Sequence, residues 1–151
     1  MKYSPIENSL FIKNRKKFID KMEDNSIAFF NSNDNYPVSA DTTLPFEQHR
    51  DLFYLSGINQ EETVLLLFKK SNQEFKEILF LTKPNDLLTH WEGARLDRKK
   101  TLSISGIHNI HWLNELDNII GALMKEVKIL YLNKNEHYRA KVETQTREER
   151  F

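Results

Sequence analysis

Apolar and polar positions divide the chain into alternating helical and extended stretches. Phe11, Phe18 and Met22 recur at spacings of seven and four with Leu10 and Ile19 alongside, opposed by Lys13, Lys16, Lys17 and Lys21. That is a helical stripe whose basic run from Lys13 to Lys21 is its wet face. Asp24-Asn25 ends it, and SIAFF (26–30) reads as a short buried strand. A turn-rich stretch, NSNDNYP (31–37), leads into SADTTLPFEQHRDLFYLSG (39–57), which reads as a loop feeding a core strand, LFYLSG, stopped by Gly57. Phe53 and Tyr54 are then expected in or beside the sheet. ETVLLLF (62–68) and KEILFLT (76–82) read as a strand pair joined by the polar loop KKSNQE. Runs this continuously apolar suit strands covered on both faces, and Pro84 stops the second. LNELDNIIGALMK (113–125) has Leu113, Leu116, Ile119, Ile120 and Leu123 at helical spacing, and VKILYL (127–132) is a further strand. The alternation predicts an α/β fold, a three-layer domain with a mixed β-sheet flanked by helices. No internal repeat is visible.

Composition narrows the function classes. A chain of 151 residues is one domain by length. With 22 basic and 22 acidic residues the formal charge is zero, which removes the main electrostatic argument for nucleic acid. Having no cysteine excludes disulfides, thiolate-bound zinc, iron–sulfur clusters and a thiol nucleophile. The N-terminal residues MKYSPIENSLFIKNRKKF lack the apolar core of a signal peptide. The longest apolar run, Val64 to Phe68, is far too short to cross a bilayer. These points predict a soluble cytoplasmic protein. From Asn133 to Phe151 only Tyr138, Ala140, Val142 and Phe151 are apolar. That tail can form a helix but cannot hold itself down: it is either a frayed terminus or a lead into something that covers it.

No motif carries a reaction. His108 and His111 are the only close histidine pair, and in a loop or strand residues three apart face opposite sides, so they read as a surface pair rather than metal ligands. Asp34, Asp41 and Asp51 lack the ligand spacing of a calcium loop and suit turn and cap roles. Ser39, Asp41 and His49 can be assembled into a triad on paper, but no nucleophile elbow, P-loop or dinucleotide fingerprint is present. No catalytic and no metal-ligating residue is expected in this segment. Trp91, in the mixed-polarity stretch THWEGAR, is either a packing plug or an interface or stacking residue.

Taken in order, these segments resemble the N-terminal domain of the Xaa-Pro aminopeptidases (aminopeptidase P), a family with creatinase and prolidase as relatives. The resemblance rests on Asp41, Pro45-Phe46, Phe53-Tyr54 and Ser56-Gly57, followed after two strands by Trp91, Gly93 and Arg95. The chain departs from the family at Glu47, where Arg is usual, and at Arg50, where a small hydroxyl residue is usual. The resemblance implies that residues 1–151 form a non-catalytic domain and that a C-terminal pita-bread domain, absent from this chain, holds two divalent metal ions, usually manganese. It also implies proline-containing peptide substrates, homo-oligomer contacts, and a role for Asp41 and Trp91 in substrate access or at an interface. The alternatives are a stand-alone binding or assembly module of the same fold without peptidase activity, or the N-terminal domain of a prolidase or creatinase relative.

Overall fold

The computed structural model describes residues 5–40, 42–84 and 95–133. Five strands form the main sheet: β1 (Ser26–Asn31), β4 (Val64–Ser71), β5 (Glu74–Leu81), β6 (Asn109–Trp112) and β7 (Ile129–Leu132). Their spatial order is β6-β5-β4-β1-β7. β4 runs antiparallel to both β1 and β5, while β6 is parallel to β5 and β7 parallel to β1. Four strands therefore point one way and β4 the other, the mixed sheet expected. A small ribbon, β2 (Pro37–Ser39) with β3 (Thr42–Thr43), stands apart from it.

Two apolar layers sandwich the sheet. On one face Ala28, Phe30, Leu65, Leu67, Leu79 and Leu81 meet Ile19 and Met22 at the end of α1 (Asn8–Lys21) and Leu52 and Leu55 of α2 (Arg50–Ser56). Leu102 and Ile104 of α3 (Arg98–Ser105) pack at the margin of this layer. On the other face Ile27, Leu66, Phe68, Ile78 and Phe80 meet Leu116, Ile119, Ile120 and Leu123 of α4 (Leu116–Leu123). Leu65, Leu66 and Leu67 are all fully buried although successive side chains alternate between the faces, which explains the uninterrupted apolar run of β4. Each such leucine contributes about 1.5–3 kcal/mol relative to exposure.

The structure corrects several expectations. LFYLSG is most of α2 and its C-cap, not a strand. Burial of Leu52, Leu55 and Ser56 follows the i, i+3, i+4 spacing of a helix, and Gly57 closes it at φ 70° as a left-handed C-cap. Phe53 and Tyr54 consequently lie outside the sheet, 37% and 55% exposed. KKSNQE is mostly strand, with only Asn72 and Gln73 in the turn. Residues 103–105, just before the loop or strand expected around His108 and His111, end α3, a helix missed because TLSIS looks extended by composition; Asp97 caps it, accepting from the Lys100 amide at 2.7 Å.

The basic face of α1 is not uniformly wet either, because Arg15 is fully buried. α1 crosses the C-terminal ends of α2 and α3, and both helices end in the same three residues, Ser56-Gly57-Ile58 and Ser105-Gly106-Ile107. In each, the serine hydroxyl donates to the carbonyl four residues back (Leu52 or Thr101) and accepts from the isoleucine amide. Asn14 donates to the Tyr54 carbonyl at 2.9 Å, and Arg15 Nη1 reaches the carbonyls of Leu55 (2.8 Å) and Ser105 (2.9 Å). With Gly57 N bonded to the Phe53 carbonyl, the carbonyls from Leu52 to Leu55 all have partners. The Arg15 Nε lies 3.0 Å from the Glu77 carboxylate, off the axis of a linear hydrogen bond, so this contact is an ion pair.

Candidate functional site

Strand direction gathers the chemistry at one edge. The carboxyl ends of β1, β5 and β7 and the start of β4 lie at the same end of the sheet. The segment that holds Asp41 leaves from β1, and the one that holds Trp91 leaves from β5. Loops at the carboxyl edge of parallel strands are where α/β sheets place their ligands. Asp41 itself and residues 85–94, Trp91 included, lie outside the described residues. The described flanks show what anchors these segments.

A polar lattice ties the loops together. The Gln48 side-chain amide donates to the carbonyls of Ile58 (3.2 Å) and Gln60 (2.9 Å), joining the approach to α2 with the loop before β4. Gln60 Oε1 accepts from the Leu96 amide at 2.7 Å, bringing in the segment that returns toward α3. Ser32 and Thr63 exchange two bonds, Ser32 N to the Thr63 carbonyl (2.9 Å) and Thr63 N to the Ser32 hydroxyl (3.1 Å). Asn133, just past β7, has its side-chain amide 3.2 Å from His49 Nδ1. Four connections are thus fixed to one another by side chains spaced far apart in sequence.

Glu62 closes the span that holds Trp91. Its carboxylate accepts from Thr82 Oγ1 at 2.8 Å on one side of that span and from Arg95 Nη1 at 2.8 Å on the other. Arg95 also pairs with Glu61 at 3.3 Å. Glu62 sits at φ 51°, a left-handed conformation that costs a non-glycine residue about 1 kcal/mol, at a junction its own side chain holds. The Arg95 hydrogen bond, then that of Thr82, lowers its pKa below the ordinary 4.5. A depressed carboxylate stabilises the fold above its unfolded value and loses that contribution as pH falls through the folded value. Glu62→Gln should therefore flatten the decline of stability below about pH 4.5, read by urea titration at several pH values. The effect should be at most about 1 kcal/mol, because the Glu62 side chain is 57% exposed.

The other candidates scatter. His49 accepts from the Asp51 amide at 3.3 Å as the N-cap of α2, a structural role, and Ser39 lies on the ribbon strand β2, paired with Thr42. His111 contacts Glu115 at 2.6 Å and Asn109 at 2.9 Å, while His108 is exposed. Among the described residues no three His, Asp or Glu side chains are grouped to hold a metal ion. An apolar groove of about 450 Å³ lies between α1 and α2, lined by Ile6, Leu10, Phe11, Phe46, Phe53 and Tyr54. The sequence reading placed its two α2 aromatics in the sheet and so missed it. The Glu62–Arg95 clamp was also missed, although Glu61-Glu62 before a strand and the arginine of Trp-x-Gly-x-Arg were visible.

The family model for the N-terminal domain of aminopeptidase P matches residues 11–131. The chain belongs to that family. A Xaa-Pro aminopeptidase from Haemophilus influenzae is 28% identical over 121 residues, which cover 80% of this chain and 28% of that protein. One from Escherichia coli is 26% identical over 140 residues, covering 92% of this chain and 32% of that protein. The fold matches the low-pH form of aminopeptidase P from E. coli with a TM-score of 0.80 at 24% identity, over 91% of this chain and 31% of that one. The aminopeptidase P N-terminal domain thus spans about a third of the length of these relatives. No helix among the described residues is long and apolar enough to cross a membrane.

Proposed function

We propose that this chain is the non-catalytic N-terminal domain of a Xaa-Pro aminopeptidase, a hydrolase that removes the N-terminal residue from peptides with proline in second position. The observation that carries the reading is the family match over residues 11–131, supported by curated relatives named for that activity and matched over only part of their length. The two divalent ions, manganese by resemblance, belong on this reading to a second domain; among the described residues no group of three His, Asp or Glu could hold a metal ion.

On this reading the domain shapes access to the active site and carries oligomer contacts in a cytoplasmic enzyme. Asp41 and Trp91 are the residues proposed for those roles. Their supporting observation is topological: both segments leave the carboxyl edge of the sheet, where Gln48, Gln60 and Glu62 lock the surrounding loops. The test is Trp91→Ala and Asp41→Ala in the native protein, with steady-state kinetics on an Xaa-Pro peptide and the oligomer mass. At least a tenfold fall in kcat/KM or a lower oligomer mass, with unchanged thermal stability, is expected. Unchanged kinetics together with unchanged mass would overturn the assignment.

A further inference from the structure

The two edges of the sheet are finished differently. At β6 the strand carries Asn109 and His111, and Glu115 and Arg98 stand beside them, with the Arg98 guanidinium 4.7 Å from the centre of the Trp112 ring. Polar and charged groups of this kind keep an edge from pairing with other chains. Among the described residues β7 has no such protection. Its four residues, Ile129, Leu130, Tyr131 and Leu132, are all apolar or aromatic, and it is the last strand in the order. Ile129 is 37%, Leu130 46% and Leu132 67% exposed.

Register locates the uncovered strip. Leu130 lies opposite Ile27 and Leu132 opposite Phe29, so both share the face that α4 covers. Ile27 is fully buried there, Phe29 only half-buried, and the two leucines beyond them are open. α4 has no fully buried residue and is the lone α-helix packed on this face among the described residues, against three on the other. Met124, in the turn that leads toward β7, is 41% exposed. The apolar cover of the sheet therefore thins out toward β7.

We propose that the strip formed by Phe29, Leu130 and Leu132 is the seat of an apolar surface on the following domain of the same polypeptide. This rests on the reading above that a second domain exists. The family match ends at residue 131, within β7, and the matched relatives have about two-thirds of their length outside the region of similarity. Size decides between a tethered occupant and a free one. Three or four side chains fall well short of the ~1,200 Å² that a stable free complex buries. A partner tethered in the same polypeptide meets the strip at a raised effective concentration, and for it a small strip suffices.

The test is hydrogen–deuterium exchange of residues 127–132 in the native protein, with and without Leu132→Asp, and with Leu132→Ala as a variant that adds no charge. Leu132 is the most exposed of the four, so neither change should alter exchange in β4 and β5. The expected result is at least tenfold faster exchange of the β7 amides in both variants, and a single thermal transition split into two. Unchanged exchange in a native protein much longer than 151 residues would overturn the inference while leaving the proposed function standing. Protection that rises with protein concentration would assign the strip to a second copy and likewise overturn it. Equal protection in the 151-residue chain would overturn it in favour of residues 134–151. A native protein of only 151 residues, read from its intact mass, would overturn both readings together.

Discussion

Arg15→Met should destabilise the domain by about 3–5 kcal/mol, the cost of removing one member of a buried charged contact. The methionine fills similar space but donates nothing. The carbonyls of Leu55 and Ser105 would lose their buried donor, and Glu77, beside Arg15 Nε, would lose its counter-charge. Both carbonyls sit at helix C-termini, where a cation also offsets the negative end of the helix dipole. Arg15→Lys should recover only part, since a single ammonium cannot reproduce the spread of the guanidinium across two helix ends and a carboxylate. Urea unfolding of the three proteins checks this. A loss below about 1 kcal/mol in Arg15→Met would mean that other contacts hold α1 against α2 and α3.

Gly57→Ala should cost about 2–4 kcal/mol, combining a left-handed backbone with overpacking. Gly57 has φ 70°, and a Cβ there would stand 2.3 Å from Cε2 of Phe11. Phe11 is 3% exposed and in edge-to-face contact with Phe53 at 6.1 Å, so its ring has little room to move. Gly106 is the matched control, with the same φ and a Cβ that would meet Ile12 Cδ1 at 2.6 Å. Ile12 is 44% exposed and can turn that end outward, so Gly106→Ala should cost only about 1–2 kcal/mol, mainly for the backbone. Equal losses at the two glycines, measured by thermal unfolding, would show that the Phe11 contact relaxes as easily as that of Ile12.

The architecture was legible where burial is two-sided. β1, β4 and β5 announce themselves as apolar runs, and α4 by Leu116, Ile119, Ile120 and Leu123 on one stripe. α2 was not legible, because in seven residues Phe53 and Tyr54 favour a strand by composition while only Leu52, Leu55 and Ser56 obey helical spacing. The basic face of α1 misled for a different reason. Arg15 looks like its lysine neighbours until the carbonyl ends of two helices are brought against it, a tertiary fact with no local trace. The doubled Ser-Gly-Ile was in plain view and became meaningful only when both copies were found ending helices under α1.

At the candidate edge, the sequence supplied Asp41 and Trp91 through resemblance, while the side chains that tie the neighbouring loops together came from the structure. Gln48, Gln60 and Glu62 act over separations of 10 to 36 residues, which no local pattern encodes. The absence of a reaction motif in the sequence pointed away from catalysis by this segment.

The most direct measurement is hydrolysis of an Xaa-Pro peptide by the native protein and by the 151-residue chain, each with and without added manganese after chelation. The native protein should release the N-terminal residue only when the metal is restored, and the 151-residue chain should release none under either condition. Turnover by the 151-residue chain, or none by the metal-loaded native protein, would contradict the account.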